Sequence, residues 1–502
     1  MQLHWVDLIV FVLITFGNVL FGASFFFKNR TTDQFTAGGG NMPAWVVGMS
    51  IFATFVSSIS FLGLPGNAYS SNWNALVFSF SIPFASILAV KFFVPLYRSI
   101  GSISAYNFLE TRFGTWARLY ASACYLLTQL MRTGAILLLL ALPINALFGF
   151  NVKTIIVVTG IAVALYSMLG GIQAVVWTDA IQGIILIVGA VISALVLTFS
   201  MPEGPSQLFE IAVANNKFSL GSFGTSLRDS TFWVVLVYGL FINLQNYGID
   251  QNYVQRYMVT STDKKAKAST MFGAMLYVPV SVIFFYIGTA LYSYYTAQPE
   301  LLPAELHQPG MGDKIFPHFI VHGLPRGLTG LLIAAIFAAG MSTIATSLNS
   351  TATIVLTDYY KRYFNKNANE RTSMKVLYIS SGIIGALGIV IALSLVGVES
   401  VLEAWWSLAS IFSGGMLGLF LLAFISRKVR RIDAAVGLIL GVILIIWMSL
   451  SPLCFNSENL IAFRSPFHSY LTIVFGTTMI FLGGFISLKF FFKKEINFSK
   501  NK

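Results

Sequence analysis

The run 123–142, ACYLLTQLMRTGAILLLLAL, contains one residue that hydrocarbon does not accept: Arg132, with no acid within ten residues on either side. Inserting an arginine near mid-membrane costs roughly 2.5–3.5 kcal/mol. Arginine cannot shed that cost by losing its proton, so Arg132 must face a protein interior or a wet cavity. Two chemistries fit. One is a permanent ion pair with an internal acid, for which Asp179 in AVVWTDAIQGIILIV is the candidate. The other is a guanidinium fork that receives the carboxylate of a ligand.

Hydroxyls supply a second chemistry. FAAGMSTIATSLNSTATIVLTD places Ser342, Thr343, Thr346, Ser347 and Ser350 at spacings that share a helix face. Such hydroxyls bond back to carbonyls four residues earlier, or they offer oxygens to a hard cation such as sodium. MPAWVVGMSIFATFVSSISFLGLPGNAY puts Thr54, Ser57, Ser58 and Ser60 in mid-run and Gly63, Pro65 and Gly66 behind them. These are either small residues at a helix contact or hydroxyls that satisfy carbonyls freed by unwinding. INLQNYGIDQNYVQRY gathers Asn243, Gln245, Asn246, Asp250, Gln251 and Asn252 within ten residues. That cluster is either the cytoplasmic end of a helix or a second interruption.

The elements that carry these residues follow from composition. Of 502 residues, 56% are hydrophobic and only 10% charged, and mean hydropathy is +0.77, whereas soluble domains carry roughly 25% charged residues. The chain is therefore read as one polytopic membrane bundle. About 13 apolar runs are expected, near 6–27, 43–66, 74–97, 119–149, 154–170, 175–200, 231–252, 268–297, 326–358, 374–397, 401–425, 433–452 and 468–490. The first is read as a retained helix, because no small-residue cleavage site follows it.

The net charge of +12 is not read as a nucleic-acid footprint, because the basic residues lie in short breaks between apolar runs. Of the 31 Lys and Arg residues, 23 fall in alternate breaks, Arg118 and Arg256 among them, and six in the others. This asymmetry predicts an outside N-terminus and a cytoplasmic C-terminus. The two cysteines and five histidines form no metal spacing, and no HExxH or Ser–His–Asp grouping falls in the spans. The expectation is a transporter and not an enzyme, with a passive channel or a membrane sensor as the competing classes. The two unusual runs, 43–66 and 231–252, lie five spans apart. Five is odd, so the second set would run inverted relative to the first, as in inverted-repeat transporters whose site lies where broken helices meet.

AVVWTDAIQ, GIDQNYVQR and AAGMSTIATSLNST, in this order and on these spans, resemble the sodium:solute symporter family, and the likeness extends over nearly the whole chain. It implies an all-α, LeuT-like 5+5 inverted repeat, typified by the bacterial leucine transporter. One extra helix would precede the core and two would follow it, with repeats at 27–200 and 231–425. It implies a first sodium site from the carbonyls of Ala53, Val56 and Ala339 and the hydroxyls of Ser342 and Thr343. A second would be built on Asp179 with Thr346, although Ala345 stands where some two-sodium members have a hydroxyl.

Within the family, SSISFLGLPGNAY with QLMRTGAILLLLAL is most similar to bacterial sialic acid symporters. Arg132 would then hold the substrate carboxylate, with Ser57 and Ser60 assisting. Phe55 and Ser79 replace polar residues of that group, which leaves other acidic sugars, monocarboxylates, neutral sugars, proline or a vitamin as alternatives. The resemblance implies a monomeric symporter of the bacterial inner membrane, coupled to one or two Na+.

Overall fold

The computed structural model describes residues 4–25, 31–57, 59–426, 428–454 and 460–500, and all regular structure among them is helical. Eleven described helices are long and apolar enough to cross a membrane, or twelve with one bent pair, and Val152–Leu165 adds a shorter apolar segment. They match the expected runs one for one.

The chain begins with α1 (Trp5–Ser24). The second run is broken. Its first half, α2 (Ala44–Phe55), ends where Val56 turns extended, with φ −84° and ψ 110°. A π-helical turn, Ile59–Gly63, leads into α3 (Leu64–Ser70), and the two halves meet at 55°. Pro65 sits in the first turn of α3. It has no N–H to donate and is tolerated in the first turn of a helix, so it fits the start of α3. Ser58 lies outside the described residues.

Next come α4 (Trp73–Ile100), α5 (Thr115–Phe148) and α6 (Val152–Phe199). Two of the expected spans form α6, joined at Gly171, whose φ of 56° is open to glycine and strained for other residues. The polar run 243–252 is a true interruption: α7 (Phe232–Ile249) and α8 (Gln251–Met258) are separated by an extended Asp250, φ −73° and ψ 127°. Asp250 caps α8 by accepting from the Asn252 N–H at 2.8 Å. The chain continues through α9 (Asp263–Ala297), α10 (Leu328–Ile354), α11 (Glu370–Ser394), α12 (Val401–Ile425), α13 (Arg431–Cys454) and α14 (Leu471–Lys500).

One helix braces both halves of the first broken span. A Cβ at Gly273 would meet the Gly48 carbonyl oxygen at 2.5 Å, and one at Gly288 would meet the Pro65 carbonyl oxygen at 2.3 Å. These glycines stand about 22 Å apart along α9 at the helical rise of about 1.5 Å per residue. They let its backbone approach α2 at one point and the start of α3 at the other. Lys217 anchors the far end of α3, donating from Nζ to the carbonyls of Tyr69 at 2.6 Å and Ser71 at 2.9 Å.

Exposed Ile184, Val188 and Leu195 give α6 a lipid-facing stripe, whereas α10 is buried almost throughout. Its hydroxyls therefore face protein. Two basic residues assigned by sequence to cytoplasmic breaks are interior instead. Arg118 is 7% exposed and pairs with Asp358 at 2.5 Å and Glu110 at 2.8 Å, and Arg256 in α8 is 0% exposed. Their charges are neutralised inside the bundle, so they do not belong in the loop asymmetry.

Candidate functional site

The two helix breaks face one central cavity. Arg132 from α5 lines it, together with Ser57 and Ser60 from the first break and Gln245, Asn246 and Asp250 from the second. Arg132 donates from Nη2 to the Thr54 carbonyl, at the unwinding end of α2. There the carbonyls of a helix's last turn lose their in-helix donors. Ser57 Oγ accepts from the Ile59 N–H at 3.2 Å, and Ser60 Oγ donates to the Phe55 carbonyl at 3.4 Å. The hydroxyls thus hold the unwound turn and border the cavity at once.

Gln129, nearly one turn before Arg132, ties three helices. Its Nε2 donates to Asp250 Oδ2 at 3.3 Å, and its Oε1 accepts from Ser347 Oγ at 2.8 Å. Asp250 and Arg132 line the same cavity, yet among the described residues Arg132 forms no ion pair. Gln245 is 2% exposed and its Nε2 has no partner among the described residues, so an amide donor is also available at the cavity wall.

Much of the rest of the wall is aromatic. Phe55 packs on Tyr277 with ring centroids 4.4 Å apart and stacks on Tyr247 at 5.7 Å, while Phe78 stacks on Trp406 at 4.9 Å. Ser79 is buried but does not line the cavity. About 70 Å³ is open to water-sized spheres, within a hollow of about 720 Å³. At roughly 10–15 Å³ per water by this measure, the cavity holds a handful of waters in this conformation, and a larger ligand requires it to widen. Leu402, Trp405 and Trp406 from the first turns of α12 close one side, and beyond them Glu399, Glu403 and Asp313 border a separate recess of about 530 Å³.

A second polar centre lies deeper. Asp179 is 0% exposed; its Oδ1 accepts from Ser342, and its Oδ2 accepts from Ser50 Oγ at 2.6 Å and Arg256 Nη2 at 2.7 Å. Arg256 Nη2 also donates to Thr346 Oγ1 at 3.0 Å, Nε to Ser50 Oγ at 2.8 Å, and Nη1 to the Asn252 carbonyl at 2.7 Å. Asp179 is thus paired with Arg256 and not with Arg132, which removes the first of the two chemistries offered for Arg132. A chain of hydrogen bonds through α2 connects the two centres. Thr54, whose carbonyl accepts the Arg132 hydrogen bond, donates from Oγ1 to the Ser50 carbonyl at 2.7 Å, and Ser50 donates to Asp179.

Ala53 and Val56 lie at the unwinding end of α2, which packs against α10, the helix that carries Ala339, Ser342 and Thr343. All five are buried, and Thr343 Oγ1 donates to the Ala339 carbonyl at 2.9 Å. End-of-helix carbonyls and hydroxyl oxygens are hard donors that suit a hard cation. At Asp179 the donors are present as well, with a guanidinium among them.

Arg256, Ser50, Gln129 and the aromatic wall were not singled out from sequence. The available signal was the polar run that continues through the second break, in which Asn252, Gln255 and Arg256 lie at helical spacing on α8 and are buried, as is Asp250 before them.

A helical bundle with two interrupted helices meeting around a charged internal cavity is the architecture of a secondary transporter. The chain belongs to the sodium:solute symporter family, whose model matches residues 35–441. It is 35% identical to the sodium/sialic acid symporter SiaT of Proteus mirabilis, covering 89% of this chain and 90% of that protein. It is 31% identical to the sodium/sialic acid symporter NanT of Aliivibrio fischeri, covering 95% and 91%. A solved structure, the substrate-bound outward-open state of a Na+-coupled sialic acid symporter, superposes with a TM-score of 0.87 at 31% identity, covering 97% of this chain and 98% of that one. The LeuT-like all-α fold expected from the sequence is the observed one, and sodium is the coupling ion of a multi-pass membrane symporter.

Proposed function

We propose that this chain imports a carboxylate-bearing sugar, N-acetylneuraminic (sialic) acid first among them, by sodium symport. The observation that carries the reading is Arg132, a permanently charged fork between the two helix breaks that has a carbonyl acceptor and, among the described residues, no ion pair. In this reading the substrate carboxylate meets Arg132, and Ser57 and Ser60 orient it. Sodium bridges α2 to α10 through Ala53, Val56, Ala339, Ser342 and Thr343. A second sodium uses Asp179 and Thr346.

Residues 27–200 and 231–425 form the two inverted repeats of a monomer in the bacterial cytoplasmic membrane, N-terminus outside and C-terminus inside. Coupling requires that sodium and substrate stabilise the same closed state. One sodium per monoanion is electroneutral. A second makes uptake sensitive to membrane potential at about 2.3 kcal/mol per charge per 100 mV.

The aromatic wall around Phe55 favours one refinement, a substrate with an apolar face opposite its carboxylate. Such faces occur on sugar acids and on monocarboxylates. The test is uptake by proteoliposomes under an inward sodium gradient, comparing sialic acid with galactose, proline and pyruvate. Sodium-dependent accumulation of sialic acid is expected. Accumulation of galactose instead would overturn the role given to Arg132, and accumulation of proline or pyruvate instead would overturn the sugar.

A further inference from the structure

We propose that Arg256 is a tethered cation that competes with sodium for Asp179, so that occupancy of this centre by sodium is linked to the position of the second broken helix. The proposal rests on the reading of Asp179 as a sodium ligand and adds a control that the reading does not contain.

The guanidinium lies among the oxygens a sodium at Asp179 would need. Its Nη2 is 2.7 Å from Asp179 Oδ2 and 3.0 Å from Thr346 Oγ1, and its Nε is 2.8 Å from Ser50 Oγ. These oxygens come from α6, α10 and α2, while the cation comes from α8. A carboxylate with 0% exposure is expensive to leave without a counter-charge, and arginine keeps its proton at any physiological pH. Asp179 is therefore neutralised without sodium. Adding a sodium puts two cations against one carboxylate in a medium of low polarity, and their repulsion is relieved when the guanidinium withdraws.

The direction of withdrawal is set by the fourth contact, Nη1 to the Asn252 carbonyl at 2.7 Å. This bond is internal to α8, so the guanidinium travels with its helix. The same helix is held to α10 by Ser350 Oγ donating to Asn252 Oδ1 at 2.5 Å and Gln255 Nε2 donating to Asn349 Oδ1 at 3.1 Å. It begins at Asp250, which lines the substrate cavity. Sodium at Asp179 thus loosens α8, and a rearrangement of α8 opens Asp179 to sodium. By linkage the two effects are equal in size.

The experiment is a sodium titration of the purified full-length protein without substrate, read by thermal shift at constant ionic strength with choline replacing sodium. The proteins are wild type, Arg256→Lys, Arg256→Gln, Asp179→Asn and the double variant Arg256→Gln/Asp179→Asn. Arg256→Gln should lower the half-saturating sodium by about tenfold, within the range typical of coupled sites. Arg256→Lys, still a cation, should stay within about threefold of wild type, as electrostatic competition requires. The double variant should match Asp179→Asn, because competition needs the carboxylate.

Half-saturation that is unchanged or raised in Arg256→Gln overturns the competition, since a purely structural partner would hold the site for sodium. A wild type that shows no response to sodium overturns the sodium reading itself. Hydrogen exchange on wild type needs no variant to fold. Sodium should speed exchange of the amides of Gln251–Met258, and slowing or no change there overturns the link to α8.

Discussion

Two of the buried arginines, Arg132 and Arg256, are buried differently. Arg256 spends its donors on a carboxylate, two hydroxyls and a carbonyl from four helices. Arg132 reaches the Thr54 carbonyl, and its cavity holds an acid that does not pair with it. Both bear a desolvation penalty, and for Arg256 an internal carboxylate offsets it. The contrast separates a charge that holds helices together from a charge kept for a ligand. It also implies opposite responses to truncation, stability at Arg256 and transport at Arg132.

The largest effect is expected at Arg256. Arg256→Ala leaves the buried Asp179 without its counter-charge, a loss of about 3–5 kcal/mol. Thermal unfolding in detergent should show a steep drop, and adding Asp179→Asn should recover most of it. If Arg256→Ala unfolds like wild type, the two arginines are not different in kind.

Next comes Arg132→Lys. Its unfolding should stay near that of wild type. Replacing a fork by a point charge removes charge-assisted hydrogen bonds worth about 1.5–3 kcal/mol, so half-saturating substrate should rise roughly 10–150-fold. The methyl ester of the substrate sharpens this comparison: it should transport poorly on wild type and lose nothing further on the variant. An ester that matches the free acid on wild type would detach Arg132 from the carboxylate.

A smaller effect, of opposite sign, is expected at Asp250. Asn caps α8 as well as Asp does, so Asp250→Asn alters charge with little effect on the helix start. It removes the acid that shares the cavity with Arg132, and substrate should bind about threefold more tightly, the scale of one partly screened charge across a cavity. Weaker binding would mean that Asp250 itself receives substrate donors.

The sequence exposed much of this arrangement for a physical reason. Polar residues in hydrocarbon need a cause, so Arg132, Ser57, Ser60, Asp179 and the α10 hydroxyls stood out against apolar runs, and the structure gathers them around two neighbouring centres. Arg256 was missed because it lies near the C-terminal end of a helix, in VQRYMV ahead of TDKK, where a basic residue reads as a cytoplasmic anchor. Its partners lie 77, 90 and 206 positions away in the chain, and no local pattern marks a contact of that range. Ser50 was invisible for a related reason, since a single serine in an apolar helix ordinarily bonds its own backbone. The inward turn of α8 depends on the single extended residue at Asp250, and that geometry is a property of the fold.

The smallest effect concerns a buried charge that has an escape the arginines lack. Asp313, outside the membrane-spanning helices, is 7% exposed and accepts from the Val401 N–H at 3.0 Å. Burial pushes its carboxyl up to about 6, the Val401 hydrogen bond opposes this, and the nearby Glu403 adds to it. With the folded value above the ordinary aspartate value, the folded chain holds more protons than the unfolded chain between about pH 4 and 6. Stability therefore falls as pH rises through that window, and above it the penalty is constant. Asp313→Asn removes the slope, because an amide keeps the Val401 bond and carries no charge. Melting curves from pH 4.5 to 7.5 should show wild type losing a degree or two, roughly, relative to the variant up to pH 6 and running parallel above it. Parallel curves throughout would mean that Asp313 stays ionised against its surroundings, and would place it with Arg132 as a buried charge the protein maintains without an ion pair.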